Sequence, residues 1–339
     1  MDKRSPLPLL LFFIALSATA FVAAFADDRI LFRISIENPS RHFETWAVRH
    51  FAETLSRRAA GELLVEFYDG ARLFRDADVA AALERGRVEM AVPGIWNLDR
   101  FAPDCAAIML PRAYGRSAEL MRGLADGPLG AAIDAALERD LAVHIVGGWL
   151  DLGHAHLFGV NRRLRSMADI AGLKVRVAGG RANEERVRAL GGRPVSIPAA
   201  DITAYLDRRL VDAVLTTYET VDSLGIAGHG LVSVYEDAEY YPFFVPIIGD
   251  PVWKRLSPRL RALIEETWKD QLAASREEAA RAQESAKARL AEGGMAIVVA
   301  SPEERAATRA SLELREDEMA RRLGISEEVL EIYKRSLEP

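Results

Sequence analysis

The chain has 339 residues, half of them hydrophobic, and a formal net charge of −6. An acidic chain without a basic stripe argues against nucleic acid as a partner, and means that an anionic ligand would need a locally placed cation. Its single cysteine, Cys105, excludes an internal disulfide, so stability has to come from an apolar core.

In chain order, Lys3 and Arg4 give a short basic start, and an apolar stretch over 9–22 is broken only by Ser17 and Thr19. Ala24-Phe25-Ala26 then supplies the small-x-small pattern of a cleavage site ahead of Asp27 and Asp28. Residues 1–26 therefore read as a secretory signal peptide, with the mature protein placed in the periplasm. The apolar run is shorter than the ~20 residues of a membrane span, and no cysteine follows it to carry a lipid. Beyond residue 26 no segment is apolar enough to span a membrane. The remaining ~310 residues exceed one ordinary core and predict two lobes.

Residues 31–36 alternate in polarity and predict a strand. Phe43, Ala47, Phe51 and Leu55 recur at helical spacing within 40–60, ended by Gly61. A strand over 62–68, a helix over 76–85 stopped by Gly86, and a short buried strand over 88–92 complete a β-α-β-α-β order. Such an order predicts a parallel α/β sheet. Two helices over 117–139, divided at Gly127-Pro128, lead to an apolar strand over 142–149. A second α/β set begins at a capping box, Ser166 to Asp169. It continues as strand 173–177, helix 181–190, strand 194–197, helix 199–209 and strand 211–215. Residues 240–248 form an apolar run that crosses back towards the first lobe. From Pro258 a helix runs to about 292, with Leu260, Ile264, Trp268 and Leu272 on one face. At 1.5 Å per residue it spans ~50 Å, enough to lie across both lobes. A strand over 295–300, a helix from the capping box Ser301/Glu304 to Gly324, and a last helix over 326–335 close the chain.

Two stretches share one grammar. Leu83-Glu84-Arg85-Gly86-Arg87-Val88-Glu89 and Leu206-Asp207-Arg208-Arg209-Leu210-Val211-Asp212 each pass from helix end through a turn into a strand. Each strand leads into a loop, Pro93-Gly94-Ile95-Trp96 or Thr216-Thr217-Tyr218-Glu219, at the strand's carboxyl end, where open α/β sheets bind ligands.

Serine-hydrolase elbows, phosphate loops and dinucleotide-binding glycine patterns are absent from the sequence. His154 and His156 share a face if they lie on a strand, which suits a metal or a polar pocket wall, but no third ligand is evident nearby. Arg176 alternates with Val175 and Val177. By spacing alone it is a solvated strand residue, although its planar fork would suit a carboxylate. Trp96, Trp149 and Tyr218 are candidates to stack on a ligand or to pack in the core.

Ala171-Gly172-Leu173-Lys174-Val175-Arg176-Val177, then Leu190-Gly191-Gly192-Arg193-Pro194-Val195-Ser196-Ile197-Pro198, then Val211-Asp212-Ala213 occur in this order. Together with Leu83 to Ala91 and Trp253-Lys254-Arg255-Leu256-Ser257-Pro258, they resemble the dicarboxylate-binding (DctP-type) solute-binding proteins of tripartite ATP-independent periplasmic (TRAP) transporters. The resemblance extends over nearly the whole mature chain. It implies a two-lobed periplasmic-binding-protein-like α/β fold with crossing strands and a long lobe-bridging helix. It also implies that Arg176 clamps a ligand carboxylate, reversing the surface reading. The expected division is lobe I over 27–147 plus about 236–256, lobe II over 148–235, and the bridging helix with C-terminal helices over 257–339.

The chain departs from the pattern around the clamp. A second arginine of many relatives falls at Ala155 or His156, Thr216 stands at an expected asparagine, and two glycines are replaced by Arg209 and Ala213. The expectation is a binding protein, not an enzyme, without cofactor or metal. It captures a small organic acid through Arg176, His156, Thr216, Trp96, Trp149 and Tyr218 and delivers it to a TRAP-type permease. An exported metal-dependent enzyme, or a binding protein of the same fold serving a sensor or an ATP-driven importer, stays open as an alternative.

Overall fold

The computed structural model describes residues 29–338, so the expected signal peptide lies outside the described residues. The strands are β1 (Ile30–Ser35), β2 (Leu63–Tyr68), β3 (Met90–Ala91), β4 (Val143–Ile145), β5 (Leu150–Asp151), β6 (Ala155–Val160) and β7 (Lys174–Val177). They continue as β8 (Arg193–Ser196), β9 (Ala213–Thr216), β10 (Leu231–Tyr240), β11 (Phe243–Phe244), β12 (Ile247–Gly249) and β13 (Ala296–Val299).

Two sheets form the two lobes. The first has the order β2-β1-β3-β12-β4 and the second β13-β10-β6-β9-β7-β8. In the first sheet β1 pairs in parallel with β2 and β3, as the β-α-β-α-β order predicts. The sheet is nevertheless mixed, because β12 returns from the second lobe and pairs antiparallel with both β3 and β4. The chain passes between the lobes from β4 to β6, back from β10 to β12 and again from β12 to β13, and a small antiparallel ladder of β5 with β11 ties the first two crossings together.

The helix Pro258–Glu292 packs against the helix Phe43–Arg58 of one lobe and the short helix Tyr218–Ser223 of the other. Ser257 caps it through the Leu260 N–H, and Leu260, Ile264 and Trp268 are buried. Trp268 meets Phe51 edge-on at 5.2 Å and donates its indole N–H to the Gly148 carbonyl at 2.8 Å. This contact shortens β4. The apolar pattern extends the strand to residue 149, but at Gly147-Gly148 the backbone passes so close beneath the helix that a Cβ on Gly148 would sit 2.6 Å from Leu272.

Four other elements differ from the sequence expectation. β6 carries no polarity alternation because it lies between β10 and β9 with every residue buried. β10 is masked in sequence by Glu236, Asp237 and Glu239, which fall where its register with β6 slips and Ala238 takes φ 55°. The loop expected after β9 is the helix Tyr218–Ser223, capped by the Thr217 side chain on the Thr220 N–H. The helix expected over 302–323 is two, Pro302–Glu313 and Glu316–Leu323. It breaks where Glu316 turns inward, accepts the Arg112 N–H at 2.8 Å and pairs with the Arg112 side chain at 2.7 Å.

Candidate functional site

Arg176 lies on β7, between β9 and the edge strand β8 of the second sheet. Its side chain is almost wholly buried, with a residue exposure of 2%. The guanidinium donates Nε–H to the Ile197 carbonyl at 2.9 Å. Among the described residues no carboxylate pairs with it. Burial pulls its pKa down to about 10, against a small opposing pull from Tyr240 and Glu37. A second buried arginine, Arg186, shows the contrast. It pairs with Glu239 at 3.1 Å, donates to the Met109 carbonyl at 2.8 Å and lies 4.7 Å over the Tyr240 ring.

Arg176 lines a small, partly open cavity of about 40 Å³ between the two sheets. Trp96 and Thr216 line the same cavity, each from the loop or strand end that the sequence echo singles out. Asn38, His42, Leu152, Tyr240, Pro242 and Phe244 complete much of the wall. Trp96 meets Phe244 edge-on at 5.3 Å and Tyr240 at 6.5 Å. Its indole Nε1–H is buried and finds no acceptor among the described residues. The opposite lobe holds Trp96 in place: a Cβ on Gly180, which has φ +88°, would come within 2.7 Å of the Trp96 carbonyl and 2.8 Å of its Cβ.

His42 contributes no charge. Burial pushes its pKa down to about 3, its Nδ1 accepts the Glu44 N–H at 3.2 Å, and its Nε2 lies 3.3 Å from the Thr220 hydroxyl. The 3.1 Å approach of Nε2 to Glu219 is therefore not an ion pair, and that carboxyl oxygen stands outside hydrogen-bond geometry. Behind the wall, burial raises Glu44 and Asp76 well above the ordinary carboxylate range. Burial also moves Glu219 up to about 7.

The lobes meet directly around the cavity. Glu219 accepts the Phe43 N–H at 2.7 Å, Glu37 accepts the Ala199 N–H at 3.2 Å, and Asp99 accepts the Ala182 N–H at 3.0 Å. Arg75 and Asp201 close the rim at 2.7 Å. The two lobes are thus shut over Arg176.

His156 and Tyr218 lie elsewhere. Their rings are 5.3 Å apart and line a second cavity of about 500 Å³ beside the crossing strands, with His154, Glu236, Lys287 and Arg305. His156 pairs in register with Thr216, but its Nδ1 accepts the Ala238 N–H at 3.0 Å and burial lowers its pKa to about 4. His156, one of the two positions at which the resemblance puts a second arginine, is therefore a neutral ring turned to the hinge. His154 donates Nε2–H to the Arg116 carbonyl at 2.8 Å. Among the described residues no group of three or more His, Cys, Asp or Glu side chains is arranged to hold a metal. Trp149 lines neither cavity. Its indole N–H donates to Asp134 at 2.9 Å and its ring packs on Phe243, which makes it a core residue.

Residues 34–322 match the family model of DctP, bacterial extracellular solute-binding protein, family 7. The chain belongs to this family. An uncharacterized protein of Sinorhizobium fredii is 26% identical over 53% of the chain, a match that spans only about a third (32%) of that relative's length. A TRAP periplasmic solute-binding protein of Shewanella oneidensis, solved with bound succinate, superposes with a TM-score of 0.83 at 20% identity. It covers 91% of this chain and 100% of that one. One of Ralstonia eutropha, solved with bound (S)-2-acetolactate, gives 0.83 at 18% identity, covering 91% and 98%. Both share the two-lobed fold.

For this DctP-family chain, spacing did not single out His42, Tyr240, Pro242 or Phe244. They come from the helix start after β1 and from the returning crossing, and nothing local in sequence marks a residue that reaches a cavity through a chain reversal. The one available signal is the dense aromatic run Tyr240-Tyr241-Pro242-Phe243-Phe244.

Proposed function

We propose that this periplasmic binding protein captures a small organic acid between its lobes, with Arg176 as the carboxylate clamp, and hands it to a TRAP-type permease. The observation that carries the reading is the buried Arg176 guanidinium without a carboxylate partner among the described residues. An uncompensated buried cation costs several kcal/mol, and a carboxylate ligand would offset that cost with two charge-assisted hydrogen bonds. Trp96 and Thr216 stand beside it to fix the rest of the ligand. The succinate and acetolactate bound by the two solved relatives are both organic acids.

The lobe contacts support the delivery step. A ligand that touches both sheets shifts the hinge equilibrium towards the shut form, which presents a joined two-lobe surface to the small and large permease subunits. In this reading residues 1–26 direct export and are removed. Amino-terminal sequencing of the secreted protein, with Asp27 as the expected first residue, tests that step.

A thermal-shift screen of carboxylates against wild type and Arg176→Met tests the capture step. A cognate acid at 100 times its Kd adds ~2.7 kcal/mol to wild type by mass action. An acid that stabilises both proteins equally would refute the clamp.

A further inference from the structure

We infer that the acid is a compact monocarboxylate with one neutral oxygen beside the carboxylate, a 2-oxo or 2-hydroxy acid, and not a dicarboxylate or a sugar acid. The inference rests on the reading of Arg176 as the clamp and adds three observations to it.

The first is charge. Among the described residues Arg176 is the one cation lining the cavity. His42 is held neutral and both its nitrogens face protein groups. Around it stand the carboxyl groups of Glu37, Glu44, Asp76 and Glu219. A second ligand carboxylate would be buried without a cationic partner.

The second is the count of free polar groups. Thr217 is engaged with Thr220, and Asn38 with Glu44. Among the described residues the buried indole N–H of Trp96 has no acceptor, and Thr216 brings a hydroxyl to the same cavity wall. One ligand oxygen next to the carboxylate can accept from the indole and exchange a hydrogen bond with the hydroxyl. The several hydroxyls of a sugar acid would instead face Leu152, Leu215, Pro242 and Phe244 and lose their hydration unpaired.

The third is size. The shut cavity of about 40 Å³ is far below the ~300–1,000 Å³ of pockets that hold drug-sized ligands. A space this small favours a compact acid over a pyranose ring.

Calorimetric titration of the full mature chain with 2-oxobutyrate, 2-hydroxyisovalerate, isovalerate, succinate, glutarate and galacturonate tests this. The expected result is that a 2-oxo or 2-hydroxy acid binds at least about 100-fold more tightly than succinate, glutarate or galacturonate. Trp96→Phe, which keeps the ring and removes the N–H, should weaken the 2-oxygenated acids about tenfold more than isovalerate. Tighter binding of succinate, glutarate or galacturonate, lost in Arg176→Met, would overturn this inference and leave the clamp standing. Equal weakening of isovalerate and the 2-oxygenated acids in Trp96→Phe would overturn the assigned oxygen. Binding that survives both Arg176→Met and Arg176→Lys, each with a wild-type circular dichroism spectrum, would overturn the clamp itself. Failure of every acid to bind would overturn both.

Discussion

Arg176 donates Nε–H to the backbone carbonyl of Ile197 at 2.9 Å, so the guanidinium is aimed by the neighbouring strand's end and not by a carboxylate. The bond fixes the fork's plane while leaving its two terminal nitrogens without a charged protein partner among the described residues. An orientation set by a neutral carbonyl preserves the full positive charge for a ligand.

That arrangement has a cost in the free protein. Arg176→Met removes a desolvated cation and keeps much of the side chain's volume, so the ligand-free variant should be as stable as wild type or more so. Ligand binding should weaken by about 2–5 kcal/mol. Urea denaturation with and without the cognate acid measures both quantities.

Arg186 behaves oppositely, because its charge is already matched. Arg186→Met leaves Glu239 buried and unpaired at full burial, and should cost about 3–5 kcal/mol. Asp201→Asn at the rim breaks a half-exposed pair and should cost less than ~1 kcal/mol, vanishing at high salt. Denaturant midpoints at low and high salt separate the two cases.

Glu219 makes the lobe contact pH-sensitive. Burial raises its carboxyl to about 7 in the folded protein, while in the unfolded chain it titrates at its ordinary value of 4.5. A raised folded pKa gives stability that is fully present below pH ~4.5 and is lost as pH rises towards ~7. Glu219→Gln keeps an acceptor for the Phe43 N–H and removes that titration. Its stability advantage over wild type should grow by up to ~3 kcal/mol between pH 4.5 and pH 8. Melting curves across that range check the sign; a difference that stays flat would show that Glu219 is not the titrating group.

Gly180 offers a test of how Trp96 is placed. Alanine there is strained at φ +88° and presses on the Trp96 backbone from the other lobe. Gly180→Ala should cost more than ~1 kcal/mol in stability and weaken ligand binding as well, since the shut form needs this close approach. Gly172, also at positive φ but with nothing within 4 Å, is the matched control: alanine there should cost stability without selectively weakening ligand binding.

Most helices and the strands of the two β-α-β sets were legible in the chain's own pattern. Helical spacing, caps and glycine stops located the helix Pro258–Glu292 at both ends, because Ser257-Pro258 and Gly293-Gly294 act within one turn of the chain. The ordered Gly-Leu-Lys-x-Arg series likewise marked Arg176 by resemblance, where alternation alone made it a solvated residue. Only the tertiary structure decided which side chains share the cavity. His156 and Thr216 are register partners, yet the imidazole engages the bulged β10 and faces the hinge, while Thr216 reaches the cavity. Trp149 looked like a stacking residue and is core, whereas Tyr240 and Phe244 arrive by a crossing that no local pattern encodes. The physical reason is the same in each case. Backbone propensity acts over a few residues, whereas the direction of a side chain at a lobe junction is set by packing between segments far apart in the chain.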